Sequence, residues 1–430
     1  MGFKLISKNG DFLPLLARIE QEDEDVLFYV SEDSDIYTGI LPQVDNTVDL
    51  DIQGDDTVIF DMVGAGKTAE TLKSKNYHVV GGGILNDNLE LDRYFGNDFM
   101  REHGIQIPPT YEFPDLNEVE VFLQKNPDTR FVFKPNGNLE TDLTIVPDSA
   151  EGLLASMPYL RDRIPESQDV SYTLQEFVKG VEMSTEAWFN GTKFLQPINS
   201  TMEEKKLMTG NIGPNTGCAG NVVWSWDRQT SEFLYEYIFK DLENTLREHN
   251  YVGPLDINGI WNENGIHGLE WTARFGYDAI QAYSRLFNKP LGKFLKNIRT
   301  ESEMPVDEGF ALSVRVSIPP YPTEAEVPRV PVIIPDDVRE QYGDHIYLSD
   351  VCYKNSPVLT CAGTDGYILS VASHGRGILP LQREVYTIVD TIEIPSKQYR
   401  VDIGDRVMRE RQYIMTILKK LQRKGLTGGN

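Results

Sequence analysis

Two short stretches carry residue types and spacings that could do chemistry. Glu270 and Thr272 lie two apart, so an extended strand sets both on one face, and Arg274 follows close behind. A guanidinium there would neutralise a transferring phosphate or fix a carboxylate in a bidentate fork. Pro254–Trp261 and Ile266–Arg274 read as the strands of a hairpin around Asn262-Glu263-Asn264-Gly265, which adds Asp256 to the set. Magnesium takes oxygen ligands from one or two carboxylates plus substrate phosphates, and this hairpin offers them. An odd-length loop puts Asp256 and Glu270 on the same face, whereas a two-residue Asn264-Gly265 turn puts them on opposite faces. The flanking Leu255, Ile257, Leu269 and Trp271 mark a packed hairpin rather than a solvated polar face.

The second stretch is Gly213-Pro214-Asn215-Thr216-Gly217-Cys218-Ala219-Gly220. Nearly every residue is small or turn-forming, as a loop whose backbone approaches a ligand requires. Lys205 and Lys206, just upstream, offer positive charge to phosphate or carboxylate. Gly64-Ala65-Gly66-Lys67-Thr68 is only a partial P-loop, because Asp61 stands where the first glycine should be, so a strand-to-helix loop accounts for it better. The 6 histidines show no HxH or HxxxH pairing, no GxSxG occurs, and Cys218 has no histidine near it in sequence.

These residues need a scaffold, and the chain has the length for one. Its 430 residues suggest about three domains. With 41 Lys plus Arg against 66 Asp plus Glu, the net charge of -25 opposes binding to duplex nucleic acid. The 3 cysteines form no CxxC pair, and no apolar run is long enough to span a membrane, so a soluble cytoplasmic protein is expected. Strands at Phe3–Ser7, Val26–Val30, Thr57–Met62 and His78–Val80, with helices at Leu13–Ile19 and Ala69–Lys75, predict an α/β unit with a largely parallel sheet. Leu89–His103 and Thr230–His249 read as helices, Phe131–Lys134, Tyr172–Val178 and Thr185–Phe189 as strands, and Arg406–Arg423 as a closing helix. Glu301–Pro305 reads as a linker into a β-rich C-terminal part.

Taken in order, Gly213-Pro214-Asn215-Thr216-Gly217, Gly253-Pro254-Leu255 and Glu270-Trp271-Thr272-Ala273-Arg274-Phe275-Gly276 resemble the phosphoribosylamine–glycine ligase (glycinamide ribonucleotide synthetase) family of ATP-grasp ligases. Gln175-Glu176-Phe177-Val178-Lys179-Gly180-Val181-Glu182 is similar to the family's hinge, and Tyr399-Arg400-Val401-Asp402-Ile403-Gly404 to its C-terminal motif. Weaker likeness covers nearly the whole chain, including Asp98-Phe99-Met100 and His103-Gly104-Ile105.

The resemblance implies an α/β and α+β protein: an α/β pre-ATP-grasp domain over 1–88, an ATP-grasp body of two α+β lobes over 89–300 with an inserted lobe at about 115–180, and a small β-rich C-terminal domain over 301–430. It implies ATP and magnesium or manganese, a carboxylate such as glycine, and an amine that displaces phosphate from an acyl phosphate. By position, Arg93 and Lys134 would touch the phosphates, Gln175, Glu176, Phe177 and Val178 would line the adenine, and Glu182 would accept from the ribose. Glu270, Asp256 and Thr272 would hold the metal. Arg274, Lys206 and Asn215 would be catalytic, with Gly213, Pro214, Asn215, Thr216 and Gly217 on the substrate.

The departures bear on substrate. After Lys134 the family has a glycine-rich flap, but here Pro135–Leu143 keeps one glycine and two acids, Glu140 and Asp142. Thr272 replaces an asparagine, and Tyr277-Asp278 an Asp-Pro step. Asp11, in Asn9-Gly10-Asp11-Phe12-Leu13, stands where the family's arginine meets the acceptor's phosphate, so a 5'-phosphate would be repelled and an altered amine is expected. Divergent relatives of this kind occur in viral genomes, where attaching amino acids to modified nucleotides is one use of the chemistry. Two readings result: an ATP-dependent carboxylate–amine ligase with a changed acceptor, or a catalytically weakened homologue acting as a nucleotide-binding regulator. Loss of flap glycines favours the second, and retention of Lys134, Glu270 and Arg274 the first.

Overall fold

The computed structural model describes residues 2–32, 35–136, 143–164, 170–323, 325–354 and 357–427. The chain forms two compact units. The first takes Met1–Asp87, Met183–Asp256 and Thr272–Tyr413, and the second takes Asn88–Glu182, Ile257–Trp271 and Ile414–Asn430.

The first unit opens on four parallel strands, β1 (Gly2–Ser7), β2 (Asp25–Val30), β3 (Thr57–Phe60) and β4 (His78–Val80), in the order β2-β1-β3-β4. β1, β3 and β4 are mostly buried and read as apolar runs, as inner parallel strands do, while the edge strand β2 alternates buried and part-exposed residues. Helix α1 (Leu13–Glu20) turns Leu13, Leu15, Leu16 and Ile19 inward, and α2 (Gly66–Ser74) follows β3. The strand order reverses between β1 and β3, and an open α/β sheet leaves its ligand crevice at the carboxyl ends of the strands at such a point. Asp11 follows β1 there, and Asp61 follows β3.

The helix expected at Leu89–His103 is two, α3 (Ile84–Leu91) and α4 (Arg93–Glu102). Asp92 separates them: its carboxylate accepts from the Tyr94 and Phe95 amides at 3.0 and 3.1 Å, an N-cap that starts a new helix. In the second unit, β5 (Thr110–Phe113), α5 (Leu116–Lys125), β6 (Phe131–Pro135) and β7 (Tyr172–Glu176) build an antiparallel sheet, order β5-β7-β6, under a helical layer. Alternation divides its faces. Phe131, Phe133, Tyr172 and Leu174 join Leu116, Val119, Leu123, Leu153 and Leu160 in an apolar core, while Lys134 and Gln175 occupy the other face.

In the first unit, β8 (Val181–Phe189), β9 (Phe194–Glu203), the short β10 (Lys206–Met208) and β11 (Ile212–Asn215), and β12 (Gly220–Ser225) follow. β9 lies between β8 and β12, and β12 pairs onward with the strand Phe310–Ser317, which pairs with Tyr367–Gly375. The strands beyond residue 300 therefore extend the same sheet. The expected helix Thr230–His249 is broken into an α-helix Arg228–Leu234, a wide turn Tyr235–Phe239, a tight turn Lys240–Leu242 and a helix Glu243–Glu248. Its buried Leu234, Ile238, Leu242 and Leu246 recur every four residues, which outruns the roughly 3.6-residue α period; the wide turn absorbs the drift. β13 (Gly253–Asn262) and β14 (Gly265–Thr272) form the expected hairpin, and the closing helix runs over Asp405–Thr427. No helix among the described residues is long and apolar enough to cross a membrane.

Candidate active site

The polar face of the second unit gathers much of the expected nucleotide site. Lys134, at the end of β6, is 8 % exposed, and its ammonium donates to Gln175 Oε1 at 3.0 Å. Gln175, 2 % exposed, donates in turn to Thr110 Oγ1 at 3.3 Å. Its amide is thus committed to orienting the lysine. Arg93 opens α4 beside the end of β6, because its backbone amide donates to Asn136 Oδ1 at 3.0 Å and its Nε to the Pro135 carbonyl at 3.4 Å. From there its guanidinium lies 4.0 Å from the Glu270 carboxylate. Trp271 fixes β14 against α4: its indole donates to the Gly96 carbonyl at 3.1 Å, and its ring meets Phe99 edge-on at 5.9 Å. A Cβ at Gly96 would come within 2.8 Å of the Leu89 carbonyl oxygen, so only glycine fits under that indole.

Asn258 is the residue the sequence reading missed. Its amide donates to Glu182 at 3.1 Å and to Glu270 at 3.5 Å, joining the expected ribose acceptor to the expected metal ligand. The signal was the Asp256-x-Asn258 alternation on an extended strand, which sets both side chains on one side of β13. The other hinge residues turn elsewhere. Glu176 accepts from the Tyr111 hydroxyl at 3.1 Å, the Phe177 ring lies 3.6 Å under the Arg130 guanidinium, and Val178 is half-buried. Of the expected flap, residues 137–142 lie outside the described residues.

A second group of charges forms in the first unit, at the carboxyl ends of β1 and β3. Asp61 is 1 % exposed; its Oδ2 accepts from the Ser7 hydroxyl and the Phe12 amide, both at 2.8 Å, and its Oδ1 has no hydrogen-bond partner. Burial, with the nearby Asp11 carboxylate adding repulsion, pushes its carboxyl up to about 7. Burial also raises the half-buried Asp11 above the usual carboxylate range, against the pull of Arg274 and Arg315. Arg274 thus lies near two acids, and its Nη1 donates to the Phe275 carbonyl at 3.2 Å. Asp278, which replaces the family's aspartate–proline step in part, is committed to Arg315, with contacts of 3.0 and 2.6 Å, and to the Tyr367 hydroxyl at 3.0 Å. Asp256 is buried on β13, and Thr272 is half-buried at the end of β14.

The Gly213–Gly217 string, expected as a loop, contributes a strand. Gly213, Pro214 and Asn215 lie on β11, which pairs with β10 so that Asn215 is directly opposite Lys206. Thr216 closes the pair, its amide and hydroxyl donating to the Lys205 carbonyl at 2.7 and 2.9 Å. Cys218 is fully buried and its thiol is raised by burial, in keeping with a filler rather than a nucleophile. Gly64 and Gly66 do not cradle phosphate: their amides donate to the Asp87 carboxylate at 2.6 and 2.8 Å.

Among the described residues, no group of three or more His, Cys, Asp or Glu side chains could hold a metal by itself. The oxygen donor at hand is the Glu270 carboxylate, 42 % exposed, toward which Asn258 turns its amide nitrogen. An oxygen donor of that kind fits magnesium or manganese, which share their coordination with substrate phosphates and water, and does not make a zinc site.

Comparison with known proteins bears on the fold and its ATP-grasp part. Residues 91–279 match the family "Phosphoribosylglycinamide synthetase, ATP-grasp (A) domain". The phosphoribosylamine–glycine ligase of Helicobacter pylori strain J99 is 26 % identical over 356 residues, covering 80 % of each chain. That of Lactococcus lactis is 24 % identical over 327 residues, covering 74 % of this chain and 76 % of its own. The crystal structure of the Thermotoga maritima phosphoribosylamine–glycine ligase superposes with a TM-score of 0.76 at 20 % identity, over 94 % of this chain and all of that one. Fold and matched domain define an ATP-grasp ligase. Within that class, residues 91–279 match the phosphoribosylglycinamide synthetase domain, and most of the chain is similar to phosphoribosylamine–glycine ligases.

Proposed function

We propose that the protein activates a small carboxylate, glycine or another amino acid, with ATP and joins it to an amine that carries no 5'-phosphate. The carboxylate oxygen attacks the γ-phosphorus, ADP leaves, and an acyl phosphate forms. The amine nitrogen then attacks the acyl carbon, phosphate leaves, and the nitrogen gives up a proton to yield the amide. Positioning and electrostatics carry such chemistry.

In this reading Lys134 and Arg93 meet the phosphates, the Gln175–Val178 hinge lines the adenine, and Glu182 takes the ribose hydroxyls. Glu270, with Asp256 and Thr272, would hold magnesium against the phosphates, where a divalent cation offsets charge in the transferring group. Lys206, Asn215 and Arg274, with the Gly213–Gly217 backbone, would bind the acyl phosphate. Residues 1–88, 89–300 and 301–430 serve as acceptor, ATP-grasp and C-terminal parts of a cytoplasmic enzyme. The observation that carries the ligase reading is the Lys134–Gln175 pair beside Arg93, Glu270 and Asn258: an oriented ammonium and a guanidinium next to a carboxylate, the groups that nucleotide phosphates and a divalent cation call for.

The altered acceptor rests on Asp11 and Asp61. Asp11 offers a phosphate no cation where an arginine would, and the buried Asp61 beside it adds a second acid with an unpaired Oδ1. Incubation with ATP, magnesium, a panel of amino acids and a panel of amines, followed by release of ADP and phosphate, tests the reading. Turnover that requires one carboxylate and one unphosphorylated amine is expected. ATP that neither turns over with any pair nor raises the melting temperature would sink it.

A further inference from the structure

The motif Tyr399-Arg400-Val401-Asp402-Ile403-Gly404 has no part in the chemistry above, yet it is tied to the hairpin that carries Lys206 and Asn215. We propose that Arg400 is a positioning residue of the ligase site, holding the β10–β11 hairpin in the shape that presents Lys206 and Asn215; this rests on the ligase reading.

The hairpin has little to hold it up by itself. A two-stranded ribbon is marginal in water, and this one is short. Its pairing shifts register between Lys206 and Met208, and Met208 and Ile212 are 49 % and 62 % exposed. Hydrogen bonds supply what apolar burial does not. Arg400 is 1 % exposed, and all five N–H donors of its guanidinium have an acceptor within reach. Nη1 donates to the Lys206 carbonyl at 2.9 Å and to Asn211 Oδ1 at 2.8 Å. Nε and Nη2 donate to the two Asp402 oxygens, both at 2.8 Å, and Nη2 is also 3.4 Å from Glu204. The hairpin reaches back: the Gly210 amide donates to Asp402 Oδ2 at 2.9 Å, and the Thr209 hydroxyl accepts from the Val401 amide at 3.1 Å.

The clamp therefore grips both the base of the hairpin, at the Lys206 carbonyl, and its tip, at Thr209, Gly210 and Asn211. Lysine has three donors on a point charge and cannot copy a planar fork that serves four acceptor residues. A C-terminal segment far along the chain from β11 thus sets the backbone on which Lys206 and Asn215 ride.

Two variants test this. Arg400→Lys keeps the charge and loses the fork. Asn211→Gly removes a single acceptor at an exposed position whose φ of 59° glycine adopts freely, so it leaves the fold intact even where Arg400→Lys does not. The first readout is trypsin cleavage after Lys205 and Lys206, located by mass spectrometry, which needs no catalysis. Cleavage is expected to quicken about tenfold in Arg400→Lys and about threefold in Asn211→Gly, the scale of losing charge-assisted hydrogen bonds. The second is the kinetic split: kcat should fall by similar factors while the KM for ATP stays within twofold, since the nucleotide contacts lie on other residues. An active wild type with both variants unchanged in cleavage and in kcat overturns the positioning role alone. A folded wild type that turns over no substrate pair overturns the ligase reading and the positioning role with it.

Discussion

Replacing Lys134 by methionine should weaken nucleotide binding far more than it weakens the fold. Methionine matches the length and flexibility of the lysine stem, so the packing of β6 against the core through Phe131 and Phe133 stays as it is. The ammonium is removed from a site where it is 8 % exposed and already oriented by Gln175 at 3.0 Å. A unit charge about 4 Å from a phosphate oxygen gains roughly 4 kcal/mol at an effective dielectric of about 20, part of which is spent on desolvation. The net worth of a charge-assisted hydrogen bond is about 1.5–3 kcal/mol, so the dissociation constant for a non-hydrolysable ATP analogue should rise roughly 10- to 150-fold. Stability should move by about 1 kcal/mol or less, because an orphaned Gln175 oxygen is set against relief of a buried charge. Titration calorimetry of the analogue, with the melting temperature as a check on the fold, reads both quantities. A dissociation constant within threefold of wild type in a folded Lys134→Met protein would refute the reasoning, leaving the lysine as a structural partner of Gln175.

Glu270→Gln should abolish magnesium-dependent turnover, a loss of at least about a hundredfold, while analogue binding without metal survives, as followed by phosphate release and calorimetry. Asn258→Ala should cost about tenfold in kcat/KM, because Glu182 and Glu270 lose the amide that spaces them; an unchanged magnesium dependence would count against that link. Asp61, raised to about 7, holds its proton in the folded state through a pH range where the unfolded chain has released it. Its contribution to stability is therefore full below about pH 4 and is lost as pH rises to about 7, at up to about 1.4 kcal/mol per pH unit. Melting temperatures from pH 5 to 8 should fall less steeply for Asp61→Asn than for wild type; parallel profiles would remove the assignment.

Much of the site was legible because its residues are close in sequence or sit on regular elements. Alternation along an extended strand was enough to set Glu270 and Thr272 on one face, apart from the packed Trp271. Elements with a single strong period were read correctly for the same reason. The break at Asp92 was missed because an N-cap inside an apolar-periodic run leaves the periodicity intact. The break after Leu234 was missed because apolar residues every four positions look helical until the drift adds up over several turns.

Sequence determined the class of chemistry: a carboxylate-bearing hairpin and a small-residue string beside two lysines, and, through the resemblance they carry, an acid where the family has a phosphate-binding arginine. Those are statements about which groups exist and in what order, and covalent chemistry writes them into the chain. Only the tertiary structure decided which groups meet. Asn258 became the link between Glu182 and Glu270, Asp61 became a near-neutral acid beside Asp11, and Arg400 became the clamp on a hairpin whose Asn211 lies 189 residues away in the chain. A hydrogen bond and a pKa depend on distance and burial, and neither is set until distant segments of the chain have packed.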